Sequence, residues 1–387
     1  MRFEFSTAGR IVFGPGSLSE LHGALREQGA RRLLIVHGAG AERANPLLEI
    51  ARDIGIDCVR FSVPHEPTTA IVTEGVRLAR EGECDGVIGF GGGSAIDGAK
   101  AIAGMAANPG ELIDYLEVIG GGRPLTNPAL PWIAIPTTAG AGTEVTRNAV
   151  IISPENRVKV SLRSPLLLPR LAIVDPELTR DLPPAITAAT GLDALTQLIE
   201  PYVCTRANPM TDGLCLEGIH RTARSLRRAF ENGATDGAAR EDMALASLFG
   251  GLALANAGLG AVHGFASPIG GMFPQAPHGA VCAALLPHVM QVNLRALRER
   301  DPGSAALHRY DQVAEILTGS GNAPADEAVA WVVDLCAALH IPKLGHYGIN
   351  GADIPLLVQN GSRASSMKPN PVVLTSDEMT GILEAAI

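Results

Sequence analysis

The sequence predicts an α/β half built on a doubly wound parallel sheet, followed by an all-α half. Three observations carry that expectation. Up to about residue 180, short β-branched runs alternate with amphipathic segments. Beyond residue 184, strand-like alternation almost disappears. Glycine-rich turns follow two of the expected strands. With 387 residues and 46% hydrophobic side chains, the chain has the length for two domains and the material for a core in each.

Taken in order, residues 33–36, 87–90, 132–135 and 171–174 read as buried strands, with 18–28, 46–54 and 71–81 as helices between them. Such alternation implies parallel pairing through right-handed crossovers. Residues 3–5 together with 10–13 are expected to form an exposed strand able to pair across a homodimer or higher homo-oligomer. Asp181-Leu182-Pro183-Pro184 marks the boundary between domains 1–183 and 184–387. Past it, 187–203, 209–232, 238–257 and 325–339 keep helical spacing.

Composition removes several classes of function. The 40 acidic against 31 basic side chains leave a net charge of −9, a poor match for a phosphate backbone, so no nucleic-acid partner is expected. The six cysteines show no Cys-x-x-Cys spacing and sit mostly in apolar surroundings, which suits buried thiols in a reducing cytoplasm. Met1-Arg2-Phe3-Glu4-Phe5 lacks the apolar core of a secretory signal. The most apolar stretches, such as 166–174, are broken by Pro169 and Arg170, so no membrane span is expected.

Two loops point to a nucleotide. Gly91-Gly92-Gly93-Ser94-Ala95-Ile96-Asp97 follows the strand at 87–90 and opens a helix expected over 95–107. Glycines let a charged ligand approach the backbone, and helix-start amides supply partial positive charge for a phosphate. A tight turn with Ser94 as N-cap and Asp97 completing a capping box would order the same amides. The second loop, residues 136–146, follows the strand at 132–135, and its threonines and glycines suit ribose, phosphate or carboxamide. Two such loops at the C-terminal ends of parallel strands suggest a nucleotide crevice.

The second half offers metal-ligand chemistry. Asp193 and Gln197, four apart on an expected helix, project from one face, and His263 and His278 bracket a glycine-containing segment. One carboxylate and two imidazoles can hold a divalent cation such as iron or zinc. The structural alternatives are a helix-capping Asp193 and histidines that are merely satisfied polar groups.

Together these motifs resemble the iron-containing (group III) alcohol dehydrogenase family. The resemblance rests on residues 91–97, 136–146, 175–179, 190–203 and 263–287, with Arg10-Ile11-Val12-Phe13-Gly14-Pro15-Gly16 early and Asn370-Pro371 late. It implies an N-terminal Rossmann-like nucleotide domain and a C-terminal helical domain in a dehydroquinate synthase-like architecture, with a metal in the cleft between them. It also implies NAD or NADP as cofactor and a small alcohol or aldehyde as substrate. Carried across, Gly92, Gly93 and Ser94 hold the pyrophosphate, and Gly38 and Asp97 count among the cofactor-binding residues. Thr137 and Thr138 line the adenosine side, Thr146 lies nearer the nicotinamide, and Lys159 reaches the ribose. Asp193, His263 and His278 are the metal ligands and functional core.

Three departures from the family pattern matter. Gln197 stands where the family usually places its fourth ligand, a histidine. Ser267 replaces a further histidine. An amide oxygen binds iron or zinc more weakly than imidazole, which leaves occupancy open between those metals, a harder cation such as manganese or magnesium, and none. Gly38 replaces an aspartate that in many NAD-preferring relatives repels the NADP 2′-phosphate, and Arg43 is near enough in sequence to approach it. The expected activity is metal-assisted hydride transfer. Its alternatives are a metal-independent reductase like the maleylacetate reductases and a nucleotide-binding protein without redox activity. A lyase resembling the dehydroquinate synthases lacks the Lys and Arg cluster a phosphorylated sugar acid needs.

Overall fold

The computed structural model describes residues 2–387. The chain divides into two compact units. One comprises Ser6–Thr138 and Gly142–Thr179; the other comprises Ala139–Ala141, Arg180–Ile387 and the N-terminal segment through Phe5.

The first unit is the α/β one. Its strands are β1 (Arg10–Phe13), β2 (Arg32–His37), β3 (Asp57–Ser62), β4 (Gly86–Gly91), β5 (Trp132–Pro136), β6 (Asn148–Ser153), β7 (Val158–Arg163) and β8 (Leu171–Val174). Six form one sheet in the order β1-β8-β5-β4-β2-β3, every pair parallel. The four strands expected from apolar runs are β2, β4, β5 and β8, and all four are buried nearly end to end. Burial on both faces is what a parallel sheet covered by helices requires. On one face Leu33, Ile35, Ile88, Ile133 and Ile173 pack with Leu21, Leu25 and Leu47. The chain runs from β2 outward to β3 and then returns to the other side of β2 as β4. That reversal, at the carboxyl ends of β2 and β4, is where open α/β sheets bind ligands.

The helices Leu21–Gln28, Asn45–Asp53 and Thr69–Glu81 stand where amphipathic spacing places them. The first is preceded by a 3-10 turn, Ser17–Glu20. Asp175, just past β8, accepts hydrogen bonds from the backbone N–H groups of Gly16, Leu18 and Glu177, which fixes the turn after β1.

Two expectations at this level are corrected. Residues 3–5 form no strand, and Phe3 is 44% exposed. Extended backbone becomes a strand only within a ladder, and the free edge of β8 is taken by Arg10–Phe13. Ser94 is not an N-cap. The helix Gly93–Ala106 starts two residues earlier, from Gly92 in an extended conformation, with no side-chain cap. Glycine there starts the helix without a hydroxyl, so Asp97 is released from any capping box and turns elsewhere. A further element was not expected: β6 and β7 form an antiparallel hairpin apart from the main sheet.

The second unit contains no strand among the described residues. Its principal helices are Pro184–Val203, Pro209–Asn232, Gly237–Asn256, Ala261–Met272, His278–Arg300, Ala305–Thr318, Ala325–Ala338, Ile354–Arg363 and Ser376–Ala386. Leu192, Leu195, Ile199, Phe265, Leu285, Leu286 and Tyr310 belong to one continuous buried cluster. Asn208 with Thr211, and Thr375 with Glu378, form capping boxes at two helix starts. His278–Arg300 is long and apolar enough to cross a membrane, yet its apolar stretch is mostly buried within the protein, the place of a core helix.

Candidate functional site

In the α/β unit, the ends of three neighbouring strands bring the expected nucleotide residues together. Gly38 follows β2, Gly91-Gly92-Gly93 closes β4, and Thr137 and Thr138 follow β5. The N–H of Gly38 donates to Phe90 O at 3.3 Å and that of Thr137 to Gly91 O at 2.8 Å, so backbone ties the three turns to one another. Gly91 has φ +150°, and a Cβ there would lie 2.8 Å from the Ala95 Cβ and 3.2 Å from the Gly38 N. Only glycine fits. A Cβ at Gly92 would touch Thr138 at 3.4 Å, whereas one on Gly38 would meet nothing within 4 Å, leaving open space at the end of β2. Arg43 donates to Leu178 O at 2.9 Å.

Asp97, Thr146 and Lys159 sit differently from those turns. Asp97 is buried on the Gly93–Ala106 helix, and its Oδ1 lies 3.6 Å from the Nζ of Lys100. Burial raises its pKa to about 6 against the pull of Lys100. Lys100, fully buried, donates to Thr143 O, Thr146 Oγ1 and Asn148 O at 2.9, 2.8 and 2.8 Å. Burial lowers its pKa to about 8. The Thr146 hydroxyl is therefore engaged inside the protein, and it ties the turn before β6 to Lys100. Burial also raises the pKa of the neighbouring Glu144 to about 7. Lys159, on β7, pairs with Glu66 at 2.6 Å with only 8% of its side chain exposed, so it is not a solvated edge charge.

In the helical unit, Asp193 lies midway along Pro184–Val203 and cannot cap it. Asp193, His263, His278 and Cys282 offer ligand atoms that all lie within 4.8 Å of one another. His263 Nε2 stands 3.4 Å from Asp193 Oδ1, and His278 Nε2 stands 4.0 Å from the same oxygen. The Cys282 sulfur is 3.8 Å from His263 Nε2 and 3.7 Å from His278 Nε2. Two residues here carried no expectation. Cys282 follows His278 by four positions on one helix, and Glu200 follows Asp193 by seven on another, so helical spacing alone puts each beside its neighbour.

Glu200 orients the cluster. Its Oε2 takes the His263 Nδ1 proton at 2.7 Å, and its Oε1 accepts the Val262 N–H at 2.7 Å. With Nδ1–H donated to the carboxylate, the Nε2 lone pair of His263 faces Asp193 and Cys282. The Ala261–Met272 helix starts at Gly260, which has no side chain to cap it. Glu200 and Asn370 supply the acceptors instead, Asn370 Oδ1 taking the Ala261 N–H at 3.1 Å. Asn293 and Asn370 exchange side-chain hydrogen bonds beneath it.

The chemistry of this donor set fits a cation. Asp193 Oδ1 and Gln197 Oε1 are both buried and accept no hydrogen bond. Two carboxylates, Asp193 and Glu200, are 5% exposed or less, and the side chains around them are imidazoles and a thiol. Burial disfavours the Asp193 carboxylate, but His278 and His263 hold its pKa down to about 2. Burial opposes charge on His263, yet Cys282, Asp193 and Glu200 outweigh it and raise its pKa well above 6.5. Burial pushes the Cys282 thiol up to about 12. The cluster thus demands positive charge, which protonated imidazole or a divalent cation supplies. Gln197 shares the Asp193 helix, and Ser267 lies half-buried on the His263 helix.

Comparison with known proteins agrees with this reading. The iron-containing alcohol dehydrogenase model matches residues 8–176, and the Fe-containing alcohol dehydrogenase C-terminal model matches residues 187–387. The chain is 35% identical over 382 residues to alcohol dehydrogenase 4 of Saccharomyces cerevisiae, covering 97% of this chain and 96% of that one. It is 35% identical to the NAD-dependent methanol dehydrogenase of Bacillus methanolicus, covering 97% of each. The crystal structure of a 1,3-propanediol oxidoreductase superposes with a TM-score of 0.92 at 33% identity over the whole of both chains. Fold and relatives together define an oxidoreductase of the NAD-dependent alcohol dehydrogenase class. The chain belongs to the iron-containing alcohol dehydrogenase family, whose members use NAD(P) and a divalent metal.

Proposed function

We propose that the chain interconverts a small alcohol and its aldehyde in a metal-assisted reaction, with Asp193, His263 and His278 as ligands and NAD or NADP as hydride carrier. The observation that carries this is a buried Asp193 oxygen without a hydrogen bond, facing two imidazole nitrogens at 3.4 and 4.0 Å. A bound cation supplies Lewis acidity to the substrate oxygen. The chain's own residues do the rest. Glu200 holds His263 in one tautomer, and Gln197 offers its amide beside Asp193 as a weak ligand or as a hydrogen-bond partner for the substrate oxygen. Gly92, Gly93 and Ser94 at the start of the Gly93–Ala106 helix receive the pyrophosphate, with Thr137 and Thr138 on the adenosine side. Lys100 and Asp97 position the turn carrying Thr146, while Lys159, paired with Glu66, stands on the hairpin for the ribose. Open space at Gly38, without a carboxylate, supports tolerance of NADP.

Six free cysteines support a reducing compartment such as the cytoplasm, and the outer edge of β1 offers a place for a second copy in a homo-oligomer. The test is exhaustive chelation followed by stepwise return of zinc or iron, with turnover read at the NADH band using small primary alcohols. Loss and recovery of turnover support the reading. Full turnover in demonstrably metal-free protein overturns it in favour of a metal-independent reductase, the alternative that Gln197 favours. Turnover with both cofactors at equal concentration checks the Gly38 argument; a strong NAD preference rejects it.

A further inference from the structure

The family's usual fourth imidazole is missing at Gln197, and the structure places a different donor in the cluster. We propose that Cys282 is the fourth protein ligand of the metal, as a thiolate, and that Asp193, His263, His278 and Cys282 together select zinc. This rests on the metal-assisted reading above and concerns which atoms complete the site.

Three observations support it. A tetrahedron with zinc–nitrogen and zinc–oxygen bonds of about 2.0–2.1 Å and a zinc–sulfur bond of about 2.3 Å has edges of about 3.3–3.6 Å. Four of the six edges stand at 3.4 and 4.0 Å (carboxylate–imidazole) and 3.8 and 3.7 Å (thiol–imidazole), and all four atoms lie within 4.8 Å of one another, so side-chain adjustment of under about 1 Å brings them onto one ion. Second, the sulfur already lies against both ligand nitrogens, His263 Nε2 and His278 Nε2, while Glu200 fixes which nitrogen of His263 points inward. Third, an amide oxygen is a hard neutral donor, whereas a thiolate adds negative charge and softness, and soft thiolate favours zinc within an N/O/S set. Binding transfers the Cys282 proton to solvent and forms one Zn–S bond, so atoms and charge balance without a redox step. Gln197, relieved of ligation, keeps its buried amide for the oxygen of the substrate.

The experiment uses the full chain, stripped of metal and reloaded with one equivalent of zinc or cobalt(II). Zinc-edge X-ray absorption of the wild-type protein is expected to show one sulfur at about 2.3 Å beside nitrogen and oxygen at about 2.0–2.1 Å. The cobalt form is expected to show an intense near-ultraviolet thiolate-to-cobalt absorption. Cys282→Ser should lose both signatures and weaken zinc binding by more than about 100-fold, beyond the 10- to 100-fold of outer-shell changes. Gln197→Ala should keep both, and it carries the test should the serine variant misfold. A wild-type protein that binds zinc with nitrogen and oxygen donors alone overturns the proposal and leaves the metal-assisted reading standing. One that binds neither metal overturns both. A sulfur signature surviving in Cys282→Ser also overturns it.

Discussion

Two buried polar clusters differ in one respect that separates structural from chemical roles. In the α/β unit, the ammonium of Lys100 spends its donors on three oxygens within 2.9 Å and lies 3.6 Å from a carboxylate. Asp97 Oδ1 also accepts no hydrogen bond, but it faces that ammonium, so this cluster carries its own fixed cation. In the helical unit, Asp193 and Gln197 each keep a buried oxygen that accepts nothing, and the surrounding groups are imidazoles, a thiol and a second carboxylate. Among the described residues that cluster holds no lysine or arginine, so its positive charge comes from protonated imidazole or from a bound cation. Self-neutralised clusters hold a fold together, whereas those with surplus acceptors are arranged for something that binds.

The sharpest test of the difference is to remove one charge from each cluster. Asp193→Asn is expected to lower kcat/KM by about three orders of magnitude, roughly 4 kcal/mol, measured with small alcohols at saturating cofactor. Its unfolding midpoint should fall less than that of Lys100→Met, since the imidazoles that hold Asp193 charged can turn neutral when the carboxylate is gone. Lys100→Met should do the reverse. Breaking a buried pair leaves Asp97 without its counter-charge and three oxygens without a donor, at a cost of about 3–4 kcal/mol in denaturant unfolding. If Lys100→Met leaves stability intact, the contrast between the clusters fails.

These roles are unevenly legible in the sequence. Strands β2, β4, β5 and β8 announce themselves because parallel strands buried on both faces are continuous apolar runs, and glycines mark where two of them end. The hairpin carries a readable signal as well, Val158, Val160 and Leu162 alternating with Lys159, Ser161 and Arg163, but in so short a stretch the one lysine draws the eye before the alternation does. The start of the Gly93–Ala106 helix misleads because Ser94 has capping chemistry, while Gly92, the extended residue from which the helix starts, has no side chain to signal it. Asp193, His263 and His278 stand out because carboxylate and imidazole advertise ligand chemistry. Cys282 and Glu200 do not, one among six cysteines and the other among forty acids, although i,i+4 and i,i+7 spacing points to both.

A pH series sharpens the comparison from the α/β side. Burial raises Glu144 from 4.5 to about 7, so the folded state holds a proton that the unfolded chain releases between those values. The group's contribution to stability is fully present below about pH 4.5 and is lost as pH rises through about 7. Glu144→Gln abolishes that dependence. Its unfolding free energy should match wild type near pH 4.5 and exceed it above pH 7 by up to about 3 kcal/mol. Equal slopes in the two proteins would show that the side chain is hydrated and that this cluster is less closed than its geometry indicates.

The smallest effect tests how the open cluster is aimed. Glu200 accepts two protons, from Val262 N–H through Oε1 and from His263 Nδ1–H through Oε2. In Glu200→Gln only one acceptor oxygen remains, and the amide NH2 must face the other position. If it faces His263, the imidazole must offer Nδ1 as a lone pair and carry its proton on Nε2, the nitrogen turned toward Asp193 and Cys282. If it faces Val262, that N–H loses its acceptor, and His263 Nδ1–H donates to a neutral amide oxygen in place of a carboxylate. The first orientation turns the inward lone pair into a donor, and the second holds it with a weaker, uncharged acceptor. Zinc affinity measured by competition with a chromogenic chelator should fall by about 10- to 100-fold, the usual toll for an outer-shell carboxylate. Glu200→Asp, which keeps both acceptors on a shorter stem, should recover part of that loss. A glutamine variant with wild-type affinity would mean that His263 is not oriented through Nδ1, and that the open cluster lacks the preorganisation claimed for it.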